Sequence, residues 1–163
     1  MELLRAKYAS PGESGKRGFE DLDCYKLALD VMVNAHQVAK TLPADEKFDL
    51  VQQIRRCSKS VPANIAEGYG RYHYLDTLRF YAIARGSLNE TLNHFITANV
   101  LGYIDQKYFE QVYELTRQAE RTLNGIINYV RTKKSGSNLF GDKLVKEESP
   151  GYVFDAVQFL EHE

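Results

Sequence analysis

Between Phe19 and Lys134 the apolar residues recur at intervals of three and four, and no stretch of this body alternates at an interval of two over the length of a strand. That spacing fits 3.6 residues per turn and leaves no sheet to organise the fold. The phase restarts at Pro43, around Gly68 and Gly70, and at Gly102, which divides the body into four long amphipathic segments. In the first, Tyr25, Ala28, Met32, Ala35, Ala39 and Leu42 share one stripe, which Pro43 ends. The second is expected to start near Ala44-Asp45-Glu46, where acids suit the positive end of a helix dipole, and to carry Val51, Ile54, Ser58, Val61 and Ile65. The third runs from about Leu75 to Leu101 with Leu78, Tyr81, Ala82, Leu88, Leu92 and Phe95 facing inward. The fourth, from about Gln106 to Lys134, carries Phe109, Val112, Ala119, Leu123, Ile126 and Val130. Four such segments with short connections predict an all-α fold, an antiparallel up-down-up-down four-helix bundle over residues 19–134.

The second segment contains SVPANIAEGYGR, residues 60–71, which sets a proline, an amide and a carboxylate inside a helical pattern. An internal proline removes a backbone hydrogen bond and costs roughly 3 kcal/mol. Because the apolar spacing continues across Pro62, the pattern predicts a kinked helix and not a loop. Asn64 and Glu67 lie three residues apart on one face, with Ser60 one turn before Asn64. A structural polar cluster of Ser60, Asn64, Glu67 and Arg85 is expected, bonding backbone groups freed by Pro62 or pairing with Arg55, Arg71 or Arg85. The alternative makes Glu67 a general base. Gly68 and Gly70 supply permissive backbone for a stop and a turn, and Gly86, in mid-helix, predicts a close backbone approach.

The net charge of −1 over 163 residues conceals an uneven distribution. Residues 1–18, a breaker-rich flexible arm, carry +2; residues 19–134 carry +1; residues 135–163 carry −4. A body this balanced lacks the basic excess of a dedicated nucleic-acid binder, so any such binding has to come from a local patch. One exists: Arg55, Arg56 and Lys59 fall in a run without acids, followed by Arg71 and Arg79. These five are the candidate phosphate contacts, with Tyr69, Tyr72 and Tyr74 placed to stack on unpaired bases. The competing expectation is that the arginines pair across subunits and the tyrosines fill an interface.

Catalysis is not expected. No P-loop, no Gly-x-Ser-x-Gly elbow and no Glu-x-x-His motif of di-iron bundles is present. His36, His73, His94 and His162 show no ligand spacing with one another or with Cys24 and Cys57, so neither metal nor cofactor is expected. Both cysteines fall on apolar faces and are expected to be reduced and structural. With no h-region at the start and no run of about 18 apolar residues, the chain is expected to be cytoplasmic and not membrane-bound. The acidic segment 135–163 ends in PGYVFDAVQFLEHE, where Val153, Phe154, Val157, Phe159 and Leu160 could dock on the chain's own bundle, a neighbouring subunit or a partner.

The run from Phe19 to about Arg131 contains the strings FEDLDCYKLA, QQIRRCSKSVPANIAEGYGR, ARGSLNE and NVLGYI. Through them this run resembles the four-helix-bundle family of proteins encoded in intervening sequences of 23S ribosomal RNA genes. That family is similar in fold to the accessory variability determinants of diversity-generating retroelements. The resemblance implies a homopentameric ring that binds RNA or a reverse transcriptase without catalysing a reaction. One departure stands out: where relatives start the third helix with a Ser-x-x-Glu capping box, this chain has His73-Tyr-Leu-Asp76, which implies a weaker cap. The alternative function is a multivalent protein adaptor whose tail docks a partner or regulates the ring.

Overall fold

The computed structural model describes residues 18–134. A turn of 3₁₀ helix at Phe19–Asp21 precedes α1 (Asp23–Thr41); a second, at Ala44–Phe48, precedes α2 (Leu50–Tyr69), then α3 (Tyr74–Val100) and α4 (Gln106–Lys134). No strand occurs among the described residues. Each helix packs against its neighbours in sequence, and α1 packs against α4, so four helices enclose one core. At 1.5 Å per residue the 29-residue α4 spans roughly 44 Å. No described helix is long and apolar enough to cross a membrane. The arm and the tail, with the docking set Val153, Phe154, Val157, Phe159 and Leu160, lie outside the described residues.

The buried faces follow the periodicity closely. Val51, Ile54, Ser58, Val61 and Ile65 of α2 are all buried, and Pro62 sits within one assigned helix. On α1 the centre of the stripe is Val31, not Met32, because both neighbours are apolar and the true face also takes in Leu27 and Val38. On α3 Ala82 is exposed and Ala84 buried; the inward face runs Tyr81, Ala84, Leu88, Leu92 and Phe95. On α4 the face centres on Val112, Thr116, Ala119, Leu123 and Ile127, with Phe109, Ile126 and Val130 packed at its margin. Buried Thr116 bonds the Val112 carbonyl at 2.6 Å, so its hydroxyl is satisfied within the helix.

Helix ends depart from expectation in instructive ways. The acids at 44–46 form a 3₁₀ turn, and the α-helix waits until Leu50, because Asp49 takes a non-helical conformation (φ −120°, ψ −102°). Glu46 still serves the end of α2: one oxygen accepts from the Leu50 amide at 3.4 Å and the other from the Tyr103 hydroxyl at 2.9 Å. His73 precedes α3 with no side-chain cap bond, as its lack of a capping oxygen implies. Asp105 caps α4, accepting from the Tyr108 amide at 2.7 Å. Gly102, at φ +74°, closes α3 as a Schellman turn, with bonds from the Tyr103 amide to Ala98 and from the Gly102 amide to Asn99.

The other glycines exchange roles. Gly68 is no stop; it lies inside α2, where a Cβ would sit 2.7 Å from the Tyr81 ring. Gly70 follows in right-handed conformation. Gly86, expected at a close approach, is exposed, and nothing among the described residues lies within 4 Å of a Cβ built there. Gly86→Ala is therefore expected to stabilise the isolated chain by up to about 1 kcal/mol, through helix propensity alone. Urea denaturation checks this, and a loss of stability would reveal an unseen neighbour on that face.

Candidate nucleic-acid interface

Adjacent residues on a helix point about 100° apart, and this separates the basic run of α2. Arg55 and Lys59, one turn apart, lie on the side facing α1, where their charges act on His36. Lys40, on α1, adds a third cation to the same surroundings. Burial holds the His36 imidazole below its usual value, and the charges of Arg55, Lys59 and Lys40 push the same way, so it is neutral at pH 7. His36 Nε2 and Arg55 Nε are both buried and lack a hydrogen-bond partner. The charges of Arg55, Lys59 and Lys40 make this face locally basic, which favours an anion at its surface.

Arg56 points the other way. Its Nη2 donates to Gln53 Oε1 at 2.9 Å and lies 3.8 Å from Glu90 Oε1 on α3. Arg71 and Arg79 lie at the far end of α2 and the start of α3, roughly 20 Å along the axis from Arg55 at 1.5 Å per residue. Arg71 is ion-paired with Glu67 and stacks over the Phe80 ring at 4.6 Å. Arg79 is exposed and has no partner among the described residues. Of the tyrosines, Tyr72 is 90% exposed, Tyr69 packs edge-on to Phe19 at 6.4 Å, and Tyr74 is partly buried. The five basic candidates are thus spread over separate faces and both ends of α2. Only Arg55 and Lys59 stand together without an acidic contact among the described residues.

The polar cluster divides similarly. Asn64 Nδ2 donates to the Ser60 carbonyl at 2.8 Å and to Ser60 Oγ at 2.9 Å, and Ser87 of α3 donates to Ser60 Oγ at 2.9 Å. The carbonyl bonded is that of Ser60, not the Ser58 carbonyl that Pro62 leaves without its helical donor. Glu67 stays outside this group with Arg71, and Arg85 reaches α4, donating to Asn124 Oδ1 at 3.2 Å. Glu67 lines a shallow surface depression of about 450 Å³ with Ala63, Ala66, Gly70 and Arg71. There its carboxylate is ion-paired with Arg71.

Compared with known proteins, residues 20–125 match the family model of the 23S rRNA-intervening sequence protein. The chain belongs to that family. Among solved structures, the fold resembles a crystal structure described as a protein of unknown function from the S23 ribosomal protein family of Bacteroides thetaiotaomicron. The two share 24% identity and a TM-score of 0.59, over 64% of this chain and 95% of that one. At this identity the likeness speaks to the fold. No curated protein matches the chain at a significant level.

Two features of this family member are not legible in its sequence. His36 and Lys40 join the basic face only because α1 lies beside α2, which no spacing within one helix reveals. Cys57, Glu90 and His94 also come together: one ligand atom from each lies within 4.8 Å of the others, although the histidines and cysteines show no ligand spacing in the sequence. The (i, i+4) spacing of Glu90 and His94 is the legible half of that signal. Cys57 is 2% exposed, and burial, assisted by Glu90, pushes its thiol pKa up, so it is a poor nucleophile.

Proposed function

We propose that this intervening-sequence family member is a non-catalytic accessory protein that holds structured RNA, or an RNA–reverse transcriptase intermediate, on a ring of identical bundles. The observation that carries the RNA reading is the α1–α2 face, where Arg55 and Lys59 flank His36 with two buried nitrogens unpartnered. Backbone phosphates would pair with the charges of Arg55 and Lys59, and contacts of this kind position without reading sequence. The family name, which refers to 23S rRNA, is consistent with an RNA ligand. Support for the ring comes from the outer face of α3, which exposes Ile83 (43%), Ile96 (40%) and Val100 (77%) beside the bare Gly86. Apolar surface of this kind fits burial against another copy.

Arg55→Glu combined with Lys59→Glu tests the reading. RNA affinity is expected to fall, and the slope of log affinity against log salt to drop by about 1 for each contact removed. Light scattering checks that the oligomer survives. An intact oligomer whose RNA binding and salt slope are unchanged sinks the proposal, and loss of the oligomer reassigns these residues to assembly. If the wild-type ring ignores RNA at every salt, the second reading takes over. The exposed α3 stripe would then serve a multivalent protein adaptor.

A further inference from the structure

We propose that Cys57, Glu90 and His94 form a zinc site that clips α2 to α3. The three bring a thiolate, a carboxylate and an imidazole to one point, a donor set that suits a borderline-soft ion such as Zn²⁺. Cys57 comes from α2; Glu90 and His94 are one turn apart on α3, so both project toward it. Zinc bonds of about 2.0–2.3 Å place tetrahedral ligands roughly 3.3–3.7 Å apart. The observed separations, all within 4.8 Å with His94 Nε2 3.9 Å from Glu90 Oε1, are one side-chain adjustment from that geometry. Glu90, exposed and unbranched, is the group free to make it.

The surroundings fit an ion better than they fit the three groups alone. His94 Nε2 is buried and makes no hydrogen bond. Thr91 Oγ1 lies 3.2 Å from Cys57 Sγ and donates to the Ser87 carbonyl at 2.8 Å, an outer contact that fixes the sulfur's position. Glu90's present cation is Arg56, at 3.8 Å and 75% exposed, which an ion would displace at little cost. On binding, the Cys57 S–H bond breaks, its electron pair goes to Zn²⁺ and its proton goes to solvent. With three ligands from the protein, a water would complete the tetrahedron on the exposed side, at Glu90.

Cobalt(II), titrated alone into the EDTA-stripped full-length protein, gives the test. One equivalent is expected to bind with thiolate-to-cobalt charge-transfer absorption, to release a proton and to be displaced by Zn²⁺. Cys24→Ala should keep the band, whereas Cys57→Ala should lose it. Because Cys57 is buried and its loss can also unfold the chain, His94→Gln and Glu90→Gln are made in parallel and checked by circular dichroism. Folded variants of both with the band lost or weakened at least tenfold in affinity support the site. Absence of the band in the wild type, its survival in both α3 variants, or its loss in Cys24→Ala overturns it.

Discussion

Phe95→Ala is expected to destabilise the bundle by about 3–5 kcal/mol, a large part of the 5–15 kcal/mol that holds a typical domain together. Phe95 is completely buried in the core cluster, on a helix whose two flanking neighbours both contribute to the same interior. Truncation removes the transfer energy of the ring and leaves a cavity that the close-packed core fills only in part. Urea denaturation should show a lower midpoint at unchanged slope. A loss below about 1 kcal/mol would mean that this level of the bundle is loosely packed.

Gly68→Ala should also destabilise, although alanine is the better helix former by about 1 kcal/mol. Its methyl carbon would lie 2.7 and 2.8 Å from two atoms of the Tyr81 ring and 3.1 Å from Phe80 Cβ. Tyr81 is 2% exposed, buried deeply enough that its hydroxyl pKa is pushed up to about 12, and a ring so enclosed has nowhere to retreat. Overpacking of this kind costs typically 1–3 kcal/mol, which outweighs the gain in propensity. Thermal melts of the single variants and of Gly68→Ala with Tyr81→Ala provide the check. The double variant should recover part of the loss, since the collision goes with the ring. A Gly68→Ala protein more stable than wild type would show that α2 and α3 stand further apart here.

The contrast between Gly68 and Gly86 marks what a sequence of this kind can convey. A 3.6-residue rhythm of apolar groups is a property of one helix, so the four segments and the buried run from Val51 to Ile65 are legible from residue spacing alone. Which glycine touches a neighbour is a property of two helices at a particular offset, and position within the helical pattern points to the wrong one. Arg55 and Arg56 make the same point, adjacent in the chain yet turned toward α1 and α3 respectively. So does Cys57, which lies 37 positions from His94 and meets it only across the α2–α3 seam. Within-helix phase also fails where two apolar residues compete, as at Val31 and Met32, because either could carry the stripe.

That seam has a consequence for which packing the chain accepts. Two apolar faces can slide past each other by one turn, about 5.4 Å, and still bury similar area. Between α2 and α3, however, Ser60 meets Ser87 while Cys57 meets Thr91, and Asn64 closes onto the same serine. A one-turn slip would break the Ser60–Ser87 and Cys57–Thr91 contacts across the seam and leave the buried Ser87 hydroxyl without its partner, at about 1–3 kcal/mol. The small polar residues in this interface therefore select a single offset among several of nearly equal hydrophobic merit. They give the two helices a register, and every side chain that must meet across them inherits its position from it.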